Sequence, residues 1–309
     1  MVGGACGVKC ALCIPTLNAA ATAQAFLAAL NGQSFAEFER LLVDSSSTDG
    51  TPELFAAAGF RVHTIPRTEF NHGATRQLAV DLCPDADIII FMTQDAILAH
   101  SSSLQRLVDA FDDPRVGAAY GRQLPAKGAT PVAAHARLFN YPPESHMRGT
   151  ADIPRWGIKT AFLSNSFAAY RREALRGAGG FPSDAIFGED TWVAARMLQA
   201  GWTIAYCAEA QVRHSHSYSM GEEFRRYFDI GVFHGREEWF LGGLGRAEGE
   251  GKKFVVSEFK YLLGTAPWYI PSALFRTVLK FAGYRLGLQE KYLPDWLKRR
   301  VSLNRLFWG

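Results

Sequence analysis

Asp87-Ile88-Ile89-Ile90-Phe91-Met92-Thr93-Gln94-Asp95-Ala96 is the stretch on which the fold turns. From Ile88 to Met92 every residue is large and apolar, and three are β-branched. A run this short is the signature of a strand buried on both faces, which requires a sheet covered by helices on either side. The run stops at Thr93-Gln94-Asp95, so polar side chains stand at the carboxyl end of a buried strand, where open α/β sheets hold their ligands.

The same grammar extends outward. Residues 9–14 (KCALCI) are a second apolar run, ended by Pro15-Thr16-Leu17-Asn18 and followed by an Ala/Leu-rich helix to about Leu30. Residues 40–43 (RLLV) run into Asp44 and the turn through Gly50, and a helix starts near Thr51 with Pro52 in its first turn. Residues 60–64 form a third strand, and Asn71-His72-Gly73 opens a helix through about Cys83. Strands alternating with helices predict an α/β fold, with a mainly parallel sheet and helices on both faces. Gly121 to Pro154 is rich in Pro, Gly and His, and reads as a long binding or lid region. Order resumes at Phe162 to Tyr170. A helix follows from Phe187-Gly188-Glu189-Asp190 to about Ala200, then a strand over Thr203 to Cys207.

Composition bounds the function. A chain of 309 residues, 48% hydrophobic and 20% charged, has material for a large core and is neither disordered nor a disulfide scaffold. No apolar stretch is long enough to span a bilayer, and the start MVGGACGVKC lacks a signal-peptide core, so a cytoplasmic location is expected. The five cysteines read as reduced thiols. Cys6, Cys10 and Cys13 have a spacing known from iron–sulfur sites, but Cys10 and Cys13 fall within the first strand, so buried thiols are expected. No GxGxxG follows the first strand and no GxxxxGK[ST] occurs, which removes the usual dinucleotide and P-loop cradles.

Several polar residues carry alternative readings. Asp95 is either an oxygen ligand for a divalent ion bridging a diphosphate or a helix-capping aspartate. Glu189-Asp190 are either acids placed to suit a helix dipole or a pair containing a general base. His214 and His216 face the same side of an extended segment, as metal ligands or as ordinary surface or core histidines. Arg76 either holds a phosphate or base carbonyl or is a solvated helix charge.

Five motifs in order, CIPTLN, VDSSSTDGT, FNHGATRQLA, FMTQDA and GFPSDAIFGEDTW, resemble the family 2 glycosyltransferases of the GT-A fold over roughly residues 8–240. HSHSYSMGEEFRRYFDIGVFH and GYRLGLQEKYLPDWLKRR look like the bacterial rhamnosyltransferase branch, which builds cell-surface polysaccharides such as O-antigen. The resemblance implies a nucleotide-sugar pocket bordered by Pro15, Thr16, Asn18, Asn71 and Gln94. Asp44 would receive the base imide N–H, and Arg76 the base or phosphates. Asp95 would be the last acid of a D-x-D motif binding Mg2+ or Mn2+, with His214 or His216 as further ligand, and Asp190 the catalytic base. Where the family pattern has Asp-x-Asp, this chain has Thr93-Gln94-Asp95, one carboxylate fewer. The implied reaction is inverting transfer of L-rhamnose from dTDP-β-L-rhamnose to a lipid-linked or cell-surface glycan. Glu189 would orient the helix start or an acceptor hydroxyl, and Trp156 and Trp192 are either sugar-stacking faces or buried tryptophans. The alternatives are a family 2 transferase using another UDP- or dTDP-sugar, or a non-catalytic nucleotide-sugar-binding membrane scaffold.

The charge is uneven. Residues 252–309 carry 11 Lys+Arg, 3 Asp+Glu and 12 of the 39 aromatic residues, while the rest of the chain is net negative. Residues 254–288 read as two amphipathic helices hinged at Pro267 and Pro271. The expected organisation is therefore a catalytic domain over 1–245 and a membrane-associating helical region over 246–309. That region would lie on an anionic inner membrane face, pack on the catalytic domain or join a second subunit as a homo-oligomer. A polyprenyl-diphosphate-linked acceptor would explain it. Nucleic acid is not an expected partner, because the basic charge lies in an apolar, Pro-broken tail.

Overall fold

The computed structural model describes residues 8–245 and 249–308. Cys6 lies outside the described residues. Nine strands form one sheet: β1 (Cys10–Thr16), β2 (Glu39–Asp44), β3 (Arg61–Thr64), β4 (Ile88–Met92), β5 (Ile97–Leu98), β6 (Val116–Leu124), β7 (His146–Arg148), β8 (Phe167–Arg171) and β9 (Thr203–Arg213). The order is β3-β2-β1-β4-β8-β6-β9-β5, with β7 on β9. From β3 to β4 all pairing is parallel, as the alternation of strands and helices predicts. β8 then runs antiparallel to both β4 and β6, while β6 and β9 are parallel, so the sheet as a whole is mixed.

The period of two along β4 explains its unbroken apolar run. Ile89 and Phe91 face a core shared with helices His72–Leu82, Glu189–Gln199 and Met220–Arg236. Ile88, Ile90 and Met92 face the opposite core, under helices Ala20–Asn31 and Ser103–Val108. Cys10 and Cys13 are buried thiols on the two faces of β1.

The Pro/Gly-rich stretch after β6 is more ordered than its composition suggests. Thr130 caps helix Pro131–Asn140 by accepting from the Ala133 N–H, with Pro131 in the first turn. Buried Arg148 of β7 donates to the Tyr120 hydroxyl at 2.7 Å and to the carbonyls of Lys159 and Phe162, which closes the excursion over the sheet.

The tail contains the two expected helices, Glu250–Thr265 and Ile270–Gly287, with a single turn at Pro267–Tyr269 between them. The second lies along Met220–Arg236 at very close range. A Cβ at Gly283 would run into the Phe224 carbonyl, and one at Gly287 into that of Phe228. Arg276 and Lys280 pair with buried Glu223 at 2.9 and 3.5 Å. After helix Asp295–Val301 the chain turns back toward the sheet's ligand edge. Buried Asp229 holds it there, accepting from Ser302 Oγ at 2.7 Å and from the N–H groups of Leu303 and Asn304 at 3.0 and 3.1 Å.

Candidate active site

A cleft of about 1050 Å3 lies beyond the carboxyl ends of β1, β2 and β4. It lies at the upper end of the usual size of a small-molecule pocket, roughly 300–1,000 Å3. Pro15, Thr16, Asn71, Arg76, Gln94 and Asp95 line it, as does His216. The opposite wall combines Ser183, Ala185 and Ile186 with the returning C-terminal residues Leu303 to Phe307. Two walls meet at Gly73, where a Cβ would collide with the Pro182 carbonyl oxygen.

Asp95, His214 and His216 converge, their ligand atoms all within 4.8 Å of one another. His214 Nε2 lies 3.4 Å from Asp95 Oδ1, and His216 Nδ1 lies 3.8 Å from Oδ2. Ligands held about 2.1 Å from one ion sit roughly 3–4 Å apart, so the spacing suits a single divalent ion. The hydrogen bonding fixes which nitrogen is free. Gln123 Oε1 accepts from Arg137, which can only donate, and its other contact is His214 Nδ1 at 2.9 Å. Nδ1 therefore carries the proton, and buried Nε2 faces Asp95 with no hydrogen-bond partner. Although burial acts to raise it, the charge that His214 and His216 carry when protonated holds the Asp95 carboxyl well below the usual carboxylate range. Desolvation pushes His216 down to about 4, which leaves its imidazole neutral for coordination. An anionic oxygen and two available imidazole nitrogens fit a divalent cation.

A second cluster opens helix Glu189–Gln199. Buried Glu189 is paired with Arg76 at 3.0 Å and accepts from Asn165 Nδ2 at 3.1 Å. Asp190 accepts from the Asn165 N–H at 3.1 Å and its own neighbour's N–H, that of Thr191, at 2.7 Å. Asn165 is in turn fixed by Tyr170, whose hydroxyl donates to Oδ1 at 2.6 Å. Against the effect of burial, Arg76 and then His72 keep Glu189 ionised below its ordinary range. Among the described residues Asp190 makes no ion pair, and desolvation together with the Glu189 charge pushes it up to about 6. The adjacent carboxyls thus differ, Glu189 held down beside Arg76 and Asp190 raised toward neutrality.

The other expected site residues fall into three groups. Thr16, Asp44 and Asn18 knit the first two loops together. Thr16 Oγ1 and Ser47 Oγ donate to buried Asp44 at 3.0 and 2.6 Å, and Asn18, with φ of 49°, accepts from the Thr48 N–H. Gln94 and Asn71 line the cleft while serving the backbone: Gln94 bridges the N–H and C=O of Leu17, and Asn71 caps helix His72–Leu82. Arg76 reaches the cleft with its guanidinium engaged by Glu189 and the His72 carbonyl. Trp156 and Trp192 lie apart from the cleft lining. Trp156 stacks on His146, while Trp192 donates to Glu237 and meets Trp239 edge-on. Gln123, Asn165 and the C-terminal segment of the wall were not anticipated from sequence. Glutamine and asparagine carry no motif of their own, and only tertiary pairing reveals them.

Comparison with known proteins follows the same lines. The glycosyl transferase family 2 model matches residues 11–178. The chain is 48% identical over 98% of its length to O-antigen chain rhamnosyltransferase RfbN of Salmonella typhimurium, 96% of which is covered. It is 45% identical over 96% of its length to O-antigen chain rhamnosyltransferase WbaN of Salmonella anatum, of which 95% is covered. Among solved structures, the mannosyltransferase PcManGT from Pyrobaculum calidifontis, in complex with GDP-Man and Mn2+, superposes with a TM-score of 0.57 at 20% identity. The match covers 97% of this chain and 84% of that one. The strand-end cleft, the acid pair and these matches agree: the chain is a GT-A-fold glycosyltransferase and belongs to glycosyl transferase family 2.

Proposed function

We propose that the protein transfers L-rhamnose with inversion from dTDP-β-L-rhamnose to a hydroxyl of a polyprenyl-diphosphate-linked O-antigen glycan at the inner face of the cell membrane. The observation that carries the reaction type is the split between Glu189, neutralised by Arg76, and Asp190, left as the group able to take a proton. Near full-length identity to two O-antigen rhamnosyltransferases supports the sugar and the acceptor class.

Asp190 removes the acceptor hydroxyl proton as that oxygen attacks the anomeric carbon from the face opposite the diphosphate, so one displacement inverts the centre. Asn165 holds both carboxylates in register, and Tyr170 holds Asn165. Asp95, His214 and His216 would hold a divalent cation, whose positive charge would stabilise the leaving nucleoside diphosphate. Two imidazoles beside one carboxylate favour Mn2+ over Mg2+, which prefers an all-oxygen shell. The two histidines make up for the acid missing from Thr93-Gln94-Asp95. Thr16, Asn18 and Asp44 shape the base pocket, with Asp44 turned to the imide N–H on donor binding. Residues 1–245 form the catalytic domain, its cleft closed on one side by Leu303 to Phe307, and 246–309 bring it to the membrane.

Asp190→Asn tests the reading. Transfer is expected to fall by about 10²–10⁴-fold, the usual share of a general base, with calorimetric dTDP-rhamnose affinity nearly unchanged. Matching loss of donor affinity, or turnover retained in the variant, defeats the role assigned to Asp190.

A further inference from the structure

Beside the cleft lies a second depression, of about 500 Å3, lined by Arg225, Trp296, Arg299, Arg300 and Arg305. It is built from three elements: helix Met220–Arg236, helix Asp295–Val301 and the final turn Arg305–Trp308. Arg225 thus joins three arginines of the C-terminal segment around one depression, and no acid lines it. Among the described residues none of the four is in an ion pair. The acids of the neighbouring turns have other partners. Glu290 pairs with Arg236 and Lys298, Asp295 pairs with Lys298, and Glu222 accepts from Ser219 in the helix cap while Arg225 lies within electrostatic reach of it. Arg299 is oriented by donating to the Trp308 carbonyl at 3.1 Å.

Four arginines with a single acid within reach leave a positive field that solvent screens only in part, and the planar fork of arginine matches phosphate oxygens two at a time. Trp296 is 67% exposed at the rim, an apolar surface with an N–H of the kind that settles at a headgroup boundary. Arg305 lines both this depression and the active-site cleft, so the two adjoin at that residue.

We propose that the Arg225–Arg299–Arg300–Arg305 cluster binds the diphosphate of the lipid-linked acceptor, with Trp296 against the first part of the lipid and the glycan directed past Arg305 toward Asp190. The proposal rests on the lipid-linked acceptor put forward above and gives that acceptor its anchoring site. The active-site cleft then has to recognise only the terminal sugar, since the phosphates supply the general affinity.

Farnesyl diphosphate, in chelator, is a direct probe for calorimetry. The wild-type protein is expected to bind it, and Arg299→Ala with Arg300→Ala to weaken binding by about tenfold or more, from the loss of charge-assisted hydrogen bonds. Unchanged dTDP-rhamnose affinity reports an intact fold. Undiminished farnesyl diphosphate binding in the double variant overturns the proposal. So does competition by dTDP alone, which would place the probe in the donor cleft. Phosphatidylglycerol vesicles separate the remaining source: vesicle binding lost while farnesyl diphosphate binding persists assigns the cluster to phospholipid headgroups and overturns the proposal. The parent reading is tested independently. If the wild type glycosylates a phosphate-free glycan as well as its diphosphate-linked form, the lipid-linked acceptor fails even where the cluster binds diphosphate.

Discussion

Glu189 and Asp190 are chemically similar and adjacent, yet burial and the Glu189 charge raise Asp190 while Arg76 at 3.0 Å holds Glu189 down. That pairing joins positions more than a hundred residues apart, so the sequence supports only the presence of an acid pair at a helix start. It does not show that Arg76 is engaged by a carboxylate as well as facing the cleft. The strand end and the His-x-His spacing pointed to Asp95, His214 and His216, which the fold does bring together. Gln123, which decides that His214 presents Nε2, lies some ninety residues away on β6 and has no pattern to betray it. The raised Asp190 gives a signed expectation. Only its carboxylate can accept the acceptor proton, so activity is present above its pKa and is lost as pH falls through it. kcat/KM for the acceptor should fall about tenfold per pH unit below about 6, and Asp190→Glu should move the midpoint. A profile flat down to pH 4.5 excludes Asp190 as the base.

At the scale of elements, the buried strands were readable because five apolar residues in succession satisfy both faces of β4 at once. Direction was not readable past β4, since an apolar strand such as β8 packs equally well parallel or antiparallel, and the intervening excursion permits either. Helix Pro131–Asn140 carried its Thr-Pro start signal inside a Pro/Gly-rich stretch, whose composition outweighed it. The tail helices were legible in length and hinge, but their docking depends on glycines that a hydropathy pattern passes over. Gly287→Ala adds a methyl where Phe228 and Gly231 backbone atoms already sit, and should cost about 1–3 kcal/mol as overpacking despite the helix propensity gained. Gly264→Ala meets nothing within 4 Å and should be neutral or stabilising by up to about 1 kcal/mol. Paired urea titrations distinguish the sites; equal effects at both would remove the close helix crossing as the reason for glycine at 287.

For the molecule as a whole, the tail does two things that its composition did not separate. One side packs: Leu262, Ala266 and Ala273 meet Val132 of the catalytic region, and Glu223 gathers Arg276 and Lys280. The end of the chain then returns to the cleft, so the C-terminal residues complete the wall opposite the nucleotide loops. The other side stays open. Val256, Phe259 and Leu263 form a stripe on the first tail helix, and Leu274, Phe275, Val278 and Phe281 one on the second, with Trp268 73% exposed between them. No helix among the described residues is long and apolar enough to cross a membrane. The stripes, with exposed Lys252, Lys260, Arg285 and Lys291 nearby, suit shallow insertion into an anionic surface instead. Phe275→Ser with Phe281→Ser removes two of the largest open side chains from a face that packs against nothing described. Cosedimentation with phosphatidylglycerol-containing vesicles should fall at least about tenfold, and melting should hardly change. Added salt should weaken wild-type binding further, because part of the attraction is between charges that ions screen. If the double variant keeps its vesicle affinity but changes from dimer to monomer in analytical ultracentrifugation, the face joins two copies of the chain, and membrane recruitment must come from elsewhere.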